Sequence, residues 1–137
     1  MKKRIVSIDY GLKRIGLAIS DENQIIAMPI GLILATSDIR ETIDRILEKL
    51  KSYEIEKFLV GYPLHLNGKS STLTDQVNLF IVLLKEVVNS PVTRIDERLS
   101  TLQAERLMKD RGMSRKKRVK IIDAMSAAVL LQSHLGY

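Results

Sequence analysis

The stretch Lys3–Ser20, KRIVSIDYGLKRIGLAIS, decides the fold. Ile5–Ile8 and Ile15–Ile19 are short apolar runs, and the polar connection around Gly11 is a turn signal, so the stretch predicts two antiparallel strands joined as a hairpin. One residue is at odds with that apolar pattern. Asp9 ends the first strand, where an unpaired buried carboxylate is costly. Lys13 and Arg14 follow just after the turn.

Working outward, Ile25–Ile33 reads as a third strand. The segment SDIRETIDRILEKLKSY then reads as a helix: Asp38 and Glu41 have capping-box spacing, and Ile39, Ile43, Ile46, Leu47 and Leu50 form one stripe. KFLVGYP suits a buried parallel strand. TLTDQVNLFIVLLKEVVN is a second helix with Leu73, Val77, Phe80, Ile81 and Leu84 on one face, and PVTRIDERLS supplies the last strand. Ser100 to about Gly112 reads as a helix, and the basic stretch RGMSRKKRVK leads into a final helix, IIDAMSAAVLLQSHL. An antiparallel three-stranded start followed by right-handed βαβ crossovers predicts an α/β fold. Its mixed five-stranded sheet is covered by helices on both faces, in a single domain over residues 1–137. In such a sheet, polar residues just past the carboxyl ends of the strands gather around one crevice.

Composition narrows the partners. The chain has no cysteine, so disulfides and thiolate metal sites are excluded. The basic start Met1-Lys2-Lys3-Arg4 is followed by an apolar run that Asp9 interrupts, too short for a signal peptide or membrane span, and a cytoplasmic location is the default. A net charge of +6 favours a polyanion, nucleic acid first. With no Trp and 4% aromatic residues, an extended base-stacking platform is not the expected binding mode.

Three acids stand out, each with a simpler explanation. Asp9 is also a turn residue, Glu97 an ion-pair partner for Arg98 or Arg94, and Asp123 a first-turn helix carboxylate. Together they point elsewhere. Asp9 and Glu97 at carboxyl ends of one sheet face one crevice, and Ala124, Ser126, Ala127 and Ala128 let the final helix approach closely enough to add Asp123. Carboxylates about 4–5 Å apart repel by about 3–4 kcal/mol per pair at an intermediate dielectric, on the order of 10 kcal/mol for three. Protonation, cationic neighbours or bound metal must offset that. Oxygen donors without His or Cys favour Mg²⁺ or Mn²⁺, and a pair of such ions serves the attacking and leaving oxygens of a phosphodiester displacement. Lys13, Arg14 and Arg98 are candidates to hold phosphates there, as are Arg115, Lys116, Lys117 and Arg118 in the basic run before Asp123. His65 and His134 have no evident part.

The blocks DYGLKRIGLAIS, VGYPLHLNG, DERLST and DAMSAAVLLQSHL resemble, in order and spacing, the signature blocks of the bacterial YqgF/RuvX family over about Arg4–Leu135. The resemblance implies a ribonuclease-H-like fold with the first strand central. It further implies a metal-dependent nuclease assigned to 5′-end maturation of pre-16S ribosomal RNA, with Holliday junction resolution as the related alternative. By position it assigns the acidic roles to Asp9, Glu97 and Asp123. Gly61-Tyr62-Pro63 has no acid where the wider superfamily carries its second one, so Glu97, or its neighbour Asp96, serves from the next strand. The second block has Tyr62 and Asn67 where the family has Leu and often Asp. Two other classes stay open: a phosphotransferase of the actin/sugar-kinase type, which also opens with D-x-G, and a non-catalytic RNA-binding module. Monomer and homodimer are equally compatible with the helix faces.

Overall fold

The computed structural model describes residues 3–62, 72–96 and 115–136, with the backbone alone for 96 and 115–124. Its elements are β1 (Arg4–Tyr10), β2 (Arg14–Ser20), β3 (Ala27–Leu34), α1 (Ile39–Leu50), β4 (Ile55–Tyr62), α2 (Thr72–Val87), β5 (Val92–Asp96) and α3 (Arg115–Leu135). The sheet runs β3-β2-β1-β4-β5, with β1 antiparallel to β2 and parallel to β4. The expected mixed sheet is therefore present, with β1 at its centre. The helix expected over Ser100–Gly112, the loop Leu64–Ser71 and His65 lie outside the described residues.

Strand alternation sorts the core into two layers. Val6, Ile8 and Tyr10 of β1 pack with Ile43 and Ile46 of α1 and Phe80 and Leu84 of α2. Ile5 faces the other way, joining Ala18, Leu59 and the α3 residues Ala127, Ala128 and Leu131. Helices thus cover both faces of the sheet.

Two element starts differ clearly from the sequence expectation, and each has a local cause. β3 begins at Ala27 rather than Ile25 because the Asp21 carboxylate accepts the backbone N–H of both Ile25 (2.7 Å) and Ile26 (2.9 Å). Those bonds, Ile26 first, also hold the Asp21 carboxyl below its usual pKa. α1, by contrast, starts at Ile39 as the expected Asp38 cap requires, with Asp38 Oδ1 accepting the Arg40 N–H at 3.0 Å. The larger difference is α3. It begins at Arg115, so Arg115, Lys116, Lys117, Arg118 and Lys120 belong to the helix instead of leading into it. Arg and Lys are good helix formers, and no Gly or Pro falls between Arg115 and Leu135.

The edge strand β3 is irregular. Leu17 pairs with Gly31 but Ala18 pairs with Pro29, a bulge that leaves Ile30 extra, and Gly31 takes a φ of +143° that other residues rarely adopt. Among the described residues no helix is long and apolar enough to cross a membrane.

The β1–β2 turn depends on Gly11. A Cβ placed there would lie 2.4 Å from the Arg14 carbonyl oxygen, a backbone atom with little freedom to move. Gly11→Ala is expected to lower unfolding stability by about 1–3 kcal/mol, read as a lower urea midpoint at unchanged slope. An unchanged midpoint would show that the turn relaxes without cost.

Candidate active site

Asp9 continues the β1 alternation after Ile5 and Ser7, on the face covered by α3, and is half-buried. Its ladder neighbours have no side chains. Gly16 is its partner on β2, and on β4 Gly61 follows Val60, the partner of Ile8. The carboxylate therefore stands on the central strand between two bare backbone positions. Arg14, two residues before Gly16 on β2, shares that face at the hairpin end, and Lys13 is exposed in the turn beside it. Tyr10 takes the opposite face, its ring 4.7 Å from that of Phe80, and burial pushes its phenol pKa up.

The direction of α3 decides what meets Asp9. Near its carboxyl end, Gln132 accepts the Ala27 N–H (2.9 Å) and donates to the Ile25 carbonyl (2.8 Å). Ala27 pairs with Ser20, whose Oγ accepts the Ile5 N–H, so this end of α3 lies level with the start of β1. The carboxyl end of the helix thus lies at the amino end of the strand. From Ile5 to Asp9 the strand rises about 13 Å, and from Gln132 back to position 123 the helix rises about 13 Å. Position 123 lies one turn before the sheet-packed Ala127. It is also in the third turn of α3, not the first, so a helix-dipole explanation for Asp123 no longer applies.

Small residues set the height of α3. Ala127 and Ala128 pack against the sheet, and Ser126 is buried. Beneath the helix, Ser7 is fully buried, and among the described residues its Oγ has no hydrogen-bond partner. Nothing in the sequence pattern signals this, because a serine in a strand reads as an ordinary small residue.

Glu97 and Arg98, and the side chains of Asp96, Arg115, Lys116, Lys117, Arg118 and Asp123, lie outside the described residues. Among the described residues no three acidic or His side chains come together as a metal site. On β5, Val92 packs in the α1/α2 core while Ile95 packs on the α3 side. Arg94, offered by the sequence as an ion-pair partner for Glu97, goes to the α2 side and lies over the Tyr62 ring.

Comparison with known proteins agrees with this architecture. A family model described as "RuvX: Holliday junction resolvase" matches residues 3–137. A protein of Protochlamydia amoebophila named "Putative pre-16S rRNA nuclease" is 41% identical, covering 96% of this chain and 92% of its own. One of the same name from Caldanaerobacter subterraneus is 44% identical, covering 96% and 95%. Among solved structures, T. thermophilus RuvC in complex with a Holliday junction substrate superposes with a TM-score of 0.56 at 17% identity, over 98% of this chain and 96% of that one. That likeness bears out the ribonuclease-H-like fold.

A buried hydroxyl without a partner is destabilising by about 1–3 kcal/mol relative to one that is satisfied. Ser7→Ala is accordingly expected to leave the thermal midpoint unchanged or raise it. A drop of several degrees would reveal that the hydroxyl is bonded.

Proposed function

Because the chain belongs to the RuvX family, we propose that it is a metal-dependent endonuclease that trims the 5′ end of precursor 16S ribosomal RNA in the cytoplasm. Phosphodiester hydrolysis is the activity common to the names its relatives carry. The observation that carries the reading is the half-buried Asp9 carboxylate on the central strand, between Gly16 and Gly61 on the face covered by α3.

Asp9, Glu97 and Asp123 are proposed to hold two Mg²⁺ or Mn²⁺ ions. An all-oxygen donor set suits these cations, and a half-buried carboxylate flanked by glycines fits a site that ions and a phosphate must both enter. Asp96, the residue before Glu97, is the alternative second ligand. Bound there, the ions would supply charge to activate water and to stabilise the departing oxygen.

The rest is work for the chain itself. β1, paired on both sides, fixes Asp9 rigidly. Gly16 and Gly61 leave the sugar-phosphate backbone room to approach. Lys13, Arg14 and Arg98 are proposed to neutralise neighbouring phosphates. Arg115, Lys116, Lys117 and Arg118 open α3, whose first turn holds no acid. Cations there oppose the helix dipole, an arrangement that a polyanion would relieve.

The choice of RNA rests on the names of relatives above 40% identity. A four-way DNA junction is the second reading, favoured by the description of the family model.

Both substrates belong in one assay. With Mg²⁺ or Mn²⁺, the protein is expected to cut precursor RNA near the mature 5′ end, and Asp9→Asn to slow cleavage by about a hundredfold or more. Cutting of the junction alone would replace the RNA reading, and wild-type rates from Asp9→Asn would remove the proposed chemistry. Either metal should also raise the thermal midpoint of the wild type and not that of Asp9→Asn, because a ligand selective for the native state stabilises it.

A further inference from the structure

At the carboxyl edge of β4 and β5, on the face away from Asp9, three side chains form a closed set. The Arg94 guanidinium lies over the Tyr62 ring, 4.8 Å from its centroid. Arg94 Nη1 donates to Asn78 Oδ1 (3.3 Å), and Asn78 Nδ2 donates to the Tyr62 hydroxyl oxygen (3.2 Å). Asn78 comes from α2, Tyr62 ends β4, and Arg94 is on β5, so each residue is fixed by a different element. Arg94 is nevertheless exposed, and Tyr62 and Asn78 are half-exposed. Neither partner of the guanidinium carries a charge, so its positive charge is not neutralised within the set.

A flat guanidinium backed by an aromatic ring has an open outer face on which a nucleobase can stack, and N–H groups at its rim that can donate to phosphate. Asn78 occupies one of those donors and so keeps the plane from swinging away. The position also suits a strand held at Asp9. Tyr62 is two residues past Val60, whose β1 partner Ile8 directly precedes Asp9.

We propose that Arg94, held flat by Tyr62 and Asn78, is a binding subsite for an unpaired nucleotide of the substrate, stacking its base and pairing with its phosphate. The subsite gives the enzyme a preference for substrates with a single-stranded flank. It rests on the nuclease reading for its purpose, but its existence is tested by binding alone.

The test measures binding of a fluorescent single-stranded RNA in EDTA, where no cleavage occurs, across a range of salt concentrations. Arg94→Gln is expected to weaken binding about tenfold and to reduce the slope of log K against log salt by about 0.7, the loss of one single-strand phosphate contact. Arg94→Lys keeps the charge and loses the plane, so it should weaken binding while keeping the slope. Tyr62→Leu should weaken binding with little change in slope. Thermal midpoints taken in parallel show whether each variant is folded. Wild-type affinity and slope in folded Arg94→Gln would overturn the subsite and leave the set as a structural tie between α2 and the sheet, as would a wild type with no measurable RNA binding. The expected binding changes together with no metal-dependent cleavage of either substrate would keep the subsite and sink the nuclease reading.

Discussion

The two-sided burial of β1 is the constraint on which the other features depend. A central strand paired on both edges and packed on both faces has a fixed phase, and a slip of one residue would send every side chain to the wrong layer. Val6, Ile8 and Tyr10 are committed to the α1/α2 core and Ile5 to the α3 layer. Asp9 inherits its direction from them. Its placement under α3 is a consequence of hydrophobic packing three and four residues upstream.

The second determinant is the seating of α3. Ala127 and Ala128 present almost no side chain to the sheet, so the helix lies low over Ala18 and Leu59, and Gln132 pins its far end to the start of β3. Together these set both height and register. A longer side chain at either alanine would lift the helix, and a different anchor would slide it. Each change would be felt most toward the other end, the amino-terminal half of the helix, which holds position 123.

Much of this was legible in the sequence. Alternation in IVSIDY, the Gly11 turn and the stripes Ile43–Ile46–Leu50 and Val77–Phe80–Ile81–Leu84 give the sheet, its hairpin and the α1/α2 layer directly, because each is a short-range period. The boundaries that shifted were governed by other forces. Asp21 captures two amides that the apolar run Ile25–Ile26 would otherwise offer to a ladder, and the charged run before Asp123 resembles a solvated loop by composition although its residues favour helix. The grouping of Arg94, Tyr62 and Asn78 had no sequence signal at all. Its members are far apart in sequence, and only the parallel pairing of β4 with β5 brings two of them side by side. The candidate acids were legible as residue types, while a meeting of residues so far apart in the chain is a long-range matter that no short period encodes.

The irregular β3 edge has a consequence for assembly. Open sheet edges invite another chain to add a strand, and proteins blunt them with bulges and prolines. Here Pro29 lacks a donor and the bulge at Ile30 breaks the spacing of the outward-facing amides, so the sheet is closed to extension on that side. A second copy of the chain has no regular template there, and any association must be built from helices, loops or the β5 side instead.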